Sequence, residues 1–186
     1  GLKTVEYLYG EGKKTIDNYA ISAVCMFKIV NIEEINKISR ELGNKVITET
    51  SKYIEDNIAE SYIFVRYMGP KFVIVFCGVE SDSVTDFINS VKESVEKLQV
   101  SLEENFEVKE ISTKNDKKKS KLDEKSEESK EKSKKGKRKK KVKIATPQLN
   151  FVVSSYYKGT GMEEVLGKME KYLDEDAKDN SEIVNI

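Results

Sequence analysis

RYMGPKFVIVF, running from Arg66 to Phe76, is the stretch on which the reading of this chain turns. Phe72 to Phe76, an unbroken run of aromatic and β-branched residues, reads as a strand. Ser61 to Arg66 (SYIFVR) reads as a second strand. Tyr67 to Lys71, containing Gly69 and Pro70, joins the two as a short hairpin. Gly69 serves the turn itself.

Upstream, Ala20 to Val30 (AISAVCMFKIV) is another apolar run and predicts a central strand covered on both sides. Ile32, Ile35, Ile38, Leu42, Val46, Thr50, Tyr53, Ile54 and Ile58 then recur in steps of three and four. They predict one helical face, with a break near Gly43-Asn44. Downstream, Val84, Phe87, Ile88, Val91, Val95 and Leu98 mark a second helix, with Ser81 or Ser83 as its N-cap. Phe106–Ile111 and Leu149–Tyr157 read as strands. Thr160-Gly-Met-Glu163 fits a capping box opening a helix that buries Met162, Val165, Leu166, Met169, Tyr172 and Leu173. Glu182–Ile186 reads as a short edge strand. The order gives an α+β fold, a mainly antiparallel sheet with helices packed on it.

At 186 residues the chain is long enough for one domain with a real core and short for two. Thirty-three basic residues balance thirty-three acidic ones, and no histidine is present, which removes the commonest general base and the usual Ser or Cys triads. Cys25 and Cys77 sit in apolar runs and read as buried free thiols suited to a reducing, cytoplasmic compartment. No apolar run is long enough to cross a membrane, although a full-length protein could be anchored elsewhere. The chain opens Gly1-Leu2-Lys3 without a methionine, so a fragment of a longer protein is expected.

One segment stands outside the plan. Thr113–Lys141 is almost wholly Lys, Glu, Asp and Ser, with Leu122 its one apolar residue. It cannot bury enough surface to offset its ordering entropy, so residues 113–141 are expected to form a disordered insertion in a β-hairpin. Its end, Lys134–Lys141, is basic enough to touch nucleic acid or an anionic surface. The upstream acids Asp123, Glu124, Glu127, Glu128 and Glu131, and the lack of interleaved aromatics, favour a solvated spacer.

The frame Arg66-Tyr-x-Gly-x-x-Phe72 resembles the signature of GGDEF domains, usually R-Y-G-G-D/E-E-F. Around it, Phe27–Asn36 lies where that family has L-D-x-D-x-F-K-x-I-N. Gly43-Asn-Lys-Val-Ile47 resembles its G-D-x-V-L, Leu149–Tyr157 its V-T-V-S-I-G-V strand, and Tyr172–Lys178 its A-L-Y-x-A-K helix end. The resemblance implies a nucleotide-cyclase-like fold with a ferredoxin-like core. It also implies a reaction in which two face-to-face domains condense two GTP into cyclic di-GMP with divalent metals.

The positions that would carry that chemistry differ. The first metal-binding aspartate maps to Lys28, the second acid of that strand to Val30, and the two acids of the hairpin to Pro70 and Lys71. Divalent cations of this kind need oxygen ligands, and lysine repels them. The product-inhibition motif R-x-x-D maps to Ala59-Glu60-Ser61-Tyr62. The hairpin (Arg66, Tyr67, Met68, Gly69, Pro70, Lys71, Phe72) thus keeps its frame without its acids, and no metal or cofactor is expected. Asn36 matches a guanine-reading asparagine, and Asn44 stands at a helping aspartate. The other reading of Asn36 is an exposed helix residue. Lys28 and Lys71, with Gly69 beside them, are candidates to meet a phosphate without metal, or are simply solvated lysines.

The leading expectation is an inactive GGDEF-like domain serving regulation, dimerisation or nucleotide sensing, partnered by other domains of its own protein or a second copy. Alternatives are the GGDEF-like domain of a PAS/DHH cyclic di-AMP phosphodiesterase, a divergent active cyclase, and a nucleic-acid or anionic-surface module working through the Lys-rich loop.

Overall fold

The computed structural model describes residues 2–107 and 138–176. Residue contacts divide the chain into two compact units, each described by itself: Glu103–Lys143, and the remainder.

The larger unit is built on a five-stranded sheet of β1 (Lys3–Thr4), β3 (Ile63–Arg66), β4 (Lys71–Cys77), β2 (Ile21–Ile29) and β7 (Leu149–Tyr157), in that spatial order. Only the short β1–β3 pair is parallel; β3–β4, β4–β2 and β2–β7 are antiparallel. This is the mixed α+β, mostly antiparallel architecture expected from the element order. Side chains alternate along each strand, so β2 sends Ala23, Cys25, Phe27 and Ile29 to one face and Val24 and Met26 to the other. Helices α3 (Ile32–Ile38), α4 (Arg40–Asn57) and α5 (Thr85–Val95) cover the first face, and α1 (Val5–Tyr9), α2 (Glu11–Ile16) and α6 (Met162–Lys171) the second. The first face is aromatic. Phe27 stacks on Phe72 at a centroid distance of 5.1 Å and tilts against Phe151 at 5.7 Å. Burying a side chain of this size contributes about 1.5–3 kcal/mol. Cys25 is buried and Cys77 partly buried, and both are free.

The structure moves several expected boundaries. The helix break falls at Ser39 rather than Gly43. Ser39 is extended (φ −167°, ψ 130°), and its hydroxyl accepts from the Leu42 N–H, so it ends α3 and caps α4. Gly43 continues the helix. Ile38, expected on the buried face, ends α3 and is exposed. Neither Ser81 nor Ser83 caps α5, which follows a single 3-10 turn at Ser81–Val84. Thr160 does not close a capping box either; Gly161 is the N-cap of α6, without a side-chain hydrogen bond. The last helix buries Met162, Val165, Leu166 and Met169 as its spacing predicts, then widens into a π-helical turn at Tyr172–Asp176, where Leu173 is buried and Tyr172 only partly so.

Strand β5 runs Val100–Glu107, opening before the expected Phe106–Ile111, of which residues 108–111 lie outside the described residues, and pairs with β6 (Arg138–Ala145). The end of the expected insertion, residues 138–141, therefore belongs to a strand; residues 113–137 and the expected strand Glu182–Ile186 lie outside the described residues. In the smaller unit, Lys143 pairs with Glu104 at 2.6 Å and Lys140 with Glu103 at 3.5 Å.

Candidate functional site

The hairpin between β3 and β4 is closed by two backbone bonds, Tyr67 N–H to Lys71 O and Lys71 N–H to Met68 O, each 3.0 Å. Gly69 sits at φ +57°, in the left-handed region that glycine enters without a side-chain penalty. Exposed Arg66 turns its guanidinium back to the Gly69 carbonyl at 3.4 Å. The Pro70 carbonyl accepts from the Ile29 N–H at 3.0 Å and so ties the hairpin to β2. Phe72 anchors it in the core, packed on Phe27 and Phe64.

Lys28 and Lys71 are direct partners across β2 and β4. Lys28 lies two residues after Met26 and Lys71 two before Val73, so both project from the face that carries α6. Two ammonium groups placed opposite each other repel. The end of the last helix supplies the counter-charge. Asp174 puts one oxygen 3.0 Å from Lys28 Nζ and the other 2.7 Å from Lys71 Nζ, while Glu170 reaches Lys71 at 2.9 Å. Burial alone would pull the Lys71 ammonium down, but its hydrogen bonds to Asp174 and Glu170 outweigh burial and hold it above the ordinary lysine value. In the same way burial acts to raise Asp174, and the bonds from Lys71 and Lys28 prevail, leaving its carboxyl below the usual range.

Beside this cluster opens a cleft of about 590 Å³, lined by Lys28, Val30, Ile32, Glu33, Met68, Gly69, Pro70, Lys71 and Asp174. It gathers Lys28, Gly69 and Lys71 from the expected site. Asn36 sits elsewhere, against Gly43 of α4: a Cβ at Gly43 would stand 1.9 Å from Asn36 Oδ1, so the glycine lets α3 and α4 close. Asn44 is exposed on α4, its carbonyl accepting from the Thr48 hydroxyl at 3.0 Å. Of Lys134–Lys141, residues 134–137 lie outside the described residues and the rest open β6.

The residues at the cleft do not suit a divalent cation. Lys28, Val30, Pro70 and Lys71 stand where the resemblance puts acids, and among the described residues no group of three or more His, Cys, Asp or Glu side chains could hold a metal. Sequence reading missed Glu170 and Asp174. Their four-residue spacing on a helix, which places both on one face, was the available signal. It also missed Asn31, whose amide donates to the Thr146 carbonyl at 2.8 Å and accepts from the Gln148 N–H at 2.9 Å, holding the loop into β7 against the end of β2.

The chain superposes on solved GGDEF domains. The diguanylate cyclase SiaD of Pseudomonas aeruginosa, solved with its activator SiaC, matches at a TM-score of 0.70 and 12% identity, covering 100% of this chain and 59% of that one. The fold is GGDEF-like. The GGDEF domain of DgcB from Caulobacter crescentus, in complex with c-di-GMP, matches at 0.67 and 11% identity over 99% of this chain and 88% of that one. The FimX GGDEF domain of Pseudomonas aeruginosa matches at 0.62 and 10% identity, over 100% and 95%. At such identities the likeness shows the fold alone. No family model matches the sequence, and no curated protein matches it. This GGDEF-like chain spans 59% of the SiaD chain. None of its described helices is long and apolar enough to cross a membrane.

Proposed function

We propose that this GGDEF-like chain makes no cyclic di-GMP and serves as a regulatory or interaction module in a larger signalling protein, in the cytoplasmic compartment. One observation carries the reading: the two lysines in the hairpin cleft are bound to Asp174 and Glu170. A cyclase of this fold needs carboxylates there, because metals held by them offset phosphate charge and help generate the attacking alkoxide. Ammonium groups neither ligate a divalent cation nor tolerate one nearby, and the two carboxylates that reach them, Asp174 and Glu170, are already engaged.

What remains is shape and surface. The chain retains the sheet, the anchored hairpin and a cleft whose lip exposes Val30 and Met68. SiaD, which shares the fold, was solved with an activator protein, and DgcB with a cyclic dinucleotide. Both support partner binding as the use of such a domain. Any nucleotide held here binds weakly and without metal, since lysine is a point charge rather than a bidentate clamp.

Incubation of the purified protein with GTP and Mg²⁺ or Mn²⁺, followed by product chromatography, tests the proposal. No cyclic di-GMP is expected. Product that disappears in a Lys71→Ala variant would overturn it.

A further inference from the structure

We infer that Lys28 and Lys71 form an anion site that the chain keeps closed with its own Asp174 carboxylate, and that a metal-free oligophosphate opens it by displacing that carboxylate. The inference rests on the reading of this cleft as a site without bound metal.

The geometry is that of a bridged pair. Each Asp174 oxygen serves one ammonium, at 3.0 Å and 2.7 Å, as two oxygens of one phosphate would. The two lysines are cross-strand partners, so the fold itself holds the two cations together and an anion between them relieves their repulsion. The internal anion is not deeply fixed. Asp174 stands on the single π-helical turn that ends α6, and its side chain is 39% exposed, against 11% for Lys71. Leu173, which is buried, keeps the turn attached to the core, so losing the carboxylate's ion pairs loosens the turn locally without unseating α6.

Displacement leaves room and charge for a guest. The cleft of about 590 Å³ continues past the lysines to Gly69 and Pro70, which leaves space for an oligophosphate beside the two ammonium groups. With Asp174 out, Glu170 is the carboxylate still bonded to the lysine pair, which leaves an excess of one positive charge among the groups in direct contact. Competition from a tethered carboxylate makes binding to the resting protein weak, because only the fraction with the site open is competent. Glu33 lines the same cleft and repels any anion without bridging the lysines. It is therefore the control that separates loss of the latch from a general change of charge.

The test is calorimetric titration of the chain with pyrophosphate in EDTA, beside amide exchange over residues 170–176. Asp174→Asn is expected to bind at least about tenfold tighter than the parent, and Glu33→Gln less than about threefold tighter. Adding Lys28→Ala to Asp174→Asn should abolish the gain. In the parent, saturating pyrophosphate should speed exchange at 170–176. A folded Asp174→Asn variant that gains no affinity, or a gain equalled by Glu33→Gln, overturns the inference. If Asp174→Asn does not fold, the parent decides: unchanged exchange at saturation, or no pyrophosphate binding at all, refutes the latch. Cyclic di-GMP synthesis would refute the proposed function and leave these readouts unchanged.

Discussion

Two polar clusters lie on the same face of the sheet and are wired differently. In one, Lys13 reaches Asp17 at 2.6 Å along α2 and the Tyr156 hydroxyl at 3.0 Å. That hydroxyl lies 2.9 Å from both Asp17 Oδ1 and the Thr160 carbonyl, and its one proton serves either acceptor. In the other cluster, every bond joins distant parts of the chain. Lys28 and Asp174 are 146 residues apart, Lys71 and Asp174 103, and Lys71 and Glu170 99. The first cluster surrounds a ring that is only 1% exposed, whereas the second borders an open cleft. The first therefore fastens a helix to a core, since its charge pair joins α2 to its own C-cap. In the second, two cations stay neutralised only while the end of α6 stays in place.

If that contrast is right, the largest stability effect belongs to the fastening cluster. Tyr156→Ala should cost about 3–5 kcal/mol, the usual loss for a large buried aromatic. Tyr156→Phe keeps the ring and should cost about 1 kcal/mol for the lost hydroxyl bonds. Urea unfolding measures both. A Tyr156→Ala loss below about 1 kcal/mol would show that the ring carries no core weight. Lys71→Ala sharpens the comparison from the other side. It removes the cation between Glu170 and Asp174, but these are 26% and 39% exposed, so solvent limits the cost to about 1 kcal/mol.

The same contrast explains what the sequence made legible. β2, β4 and β7 could be read because a strand covered on both faces must be apolar throughout, and Cys25 to Phe27, Val73 to Val75 and Phe151 to Val153 are. The hairpin was readable because Gly69 and Pro70 act on neighbouring residues. Chemistry that depends on a remote partner was not. Nothing local in Lys28 announces Asp174, and a π-helical turn leaves no periodicity of its own. The break at Ser39 was masked by a stronger-looking glycine, whose real task is to let Asn36 lie close. Thr160 carries a capping-box pattern, yet its carbonyl is held by Tyr156 and the helix starts past Gly161. The short N-terminal helices gave too few turns to show a period.

A smaller effect tests the turn. Gly69→Ala puts a side chain at φ +57°, with no atom within 4 Å to clash, so backbone strain is its whole cost, about 1 kcal/mol. Because the two lysines lie on strands rather than in the turn tip, pyrophosphate affinity should move by less than about twofold, roughly 0.4 kcal/mol. A loss of binding equal to that of Lys28→Ala would mean that the tip, not the strands, positions the cations.

The smallest effect is on pH, and it separates the clusters most finely. Asp174 is held below the ordinary aspartate range, with burial opposing and Lys71 and Lys28 prevailing. A depressed acid contributes stability above its unfolded pKa, about 3.9, and loses it as pH falls through the lower folded value. Lys71 is held above the ordinary lysine value, so its contribution is present below about 10.4 and is lost as pH rises through the higher folded value. The groups facing them are Lys28 from β2, Glu170 from α6, Glu33 across the cleft, and Tyr67, raised by burial and then by Glu170. The latch is thus closed through the neutral range and opens in acid. Asp17 is also depressed, by its hydrogen bond from Lys13, yet acid should leave Tyr156 in place because the Thr160 carbonyl still accepts its proton. Amide exchange corrected for its intrinsic pH dependence should therefore rise at 170–176 below about pH 4 while residues 152–156 stay protected. In Asp174→Asn the acid response at 170–176 should vanish. If both segments open together in the parent, the two clusters act as one, and the distinction between fastening and latch fails.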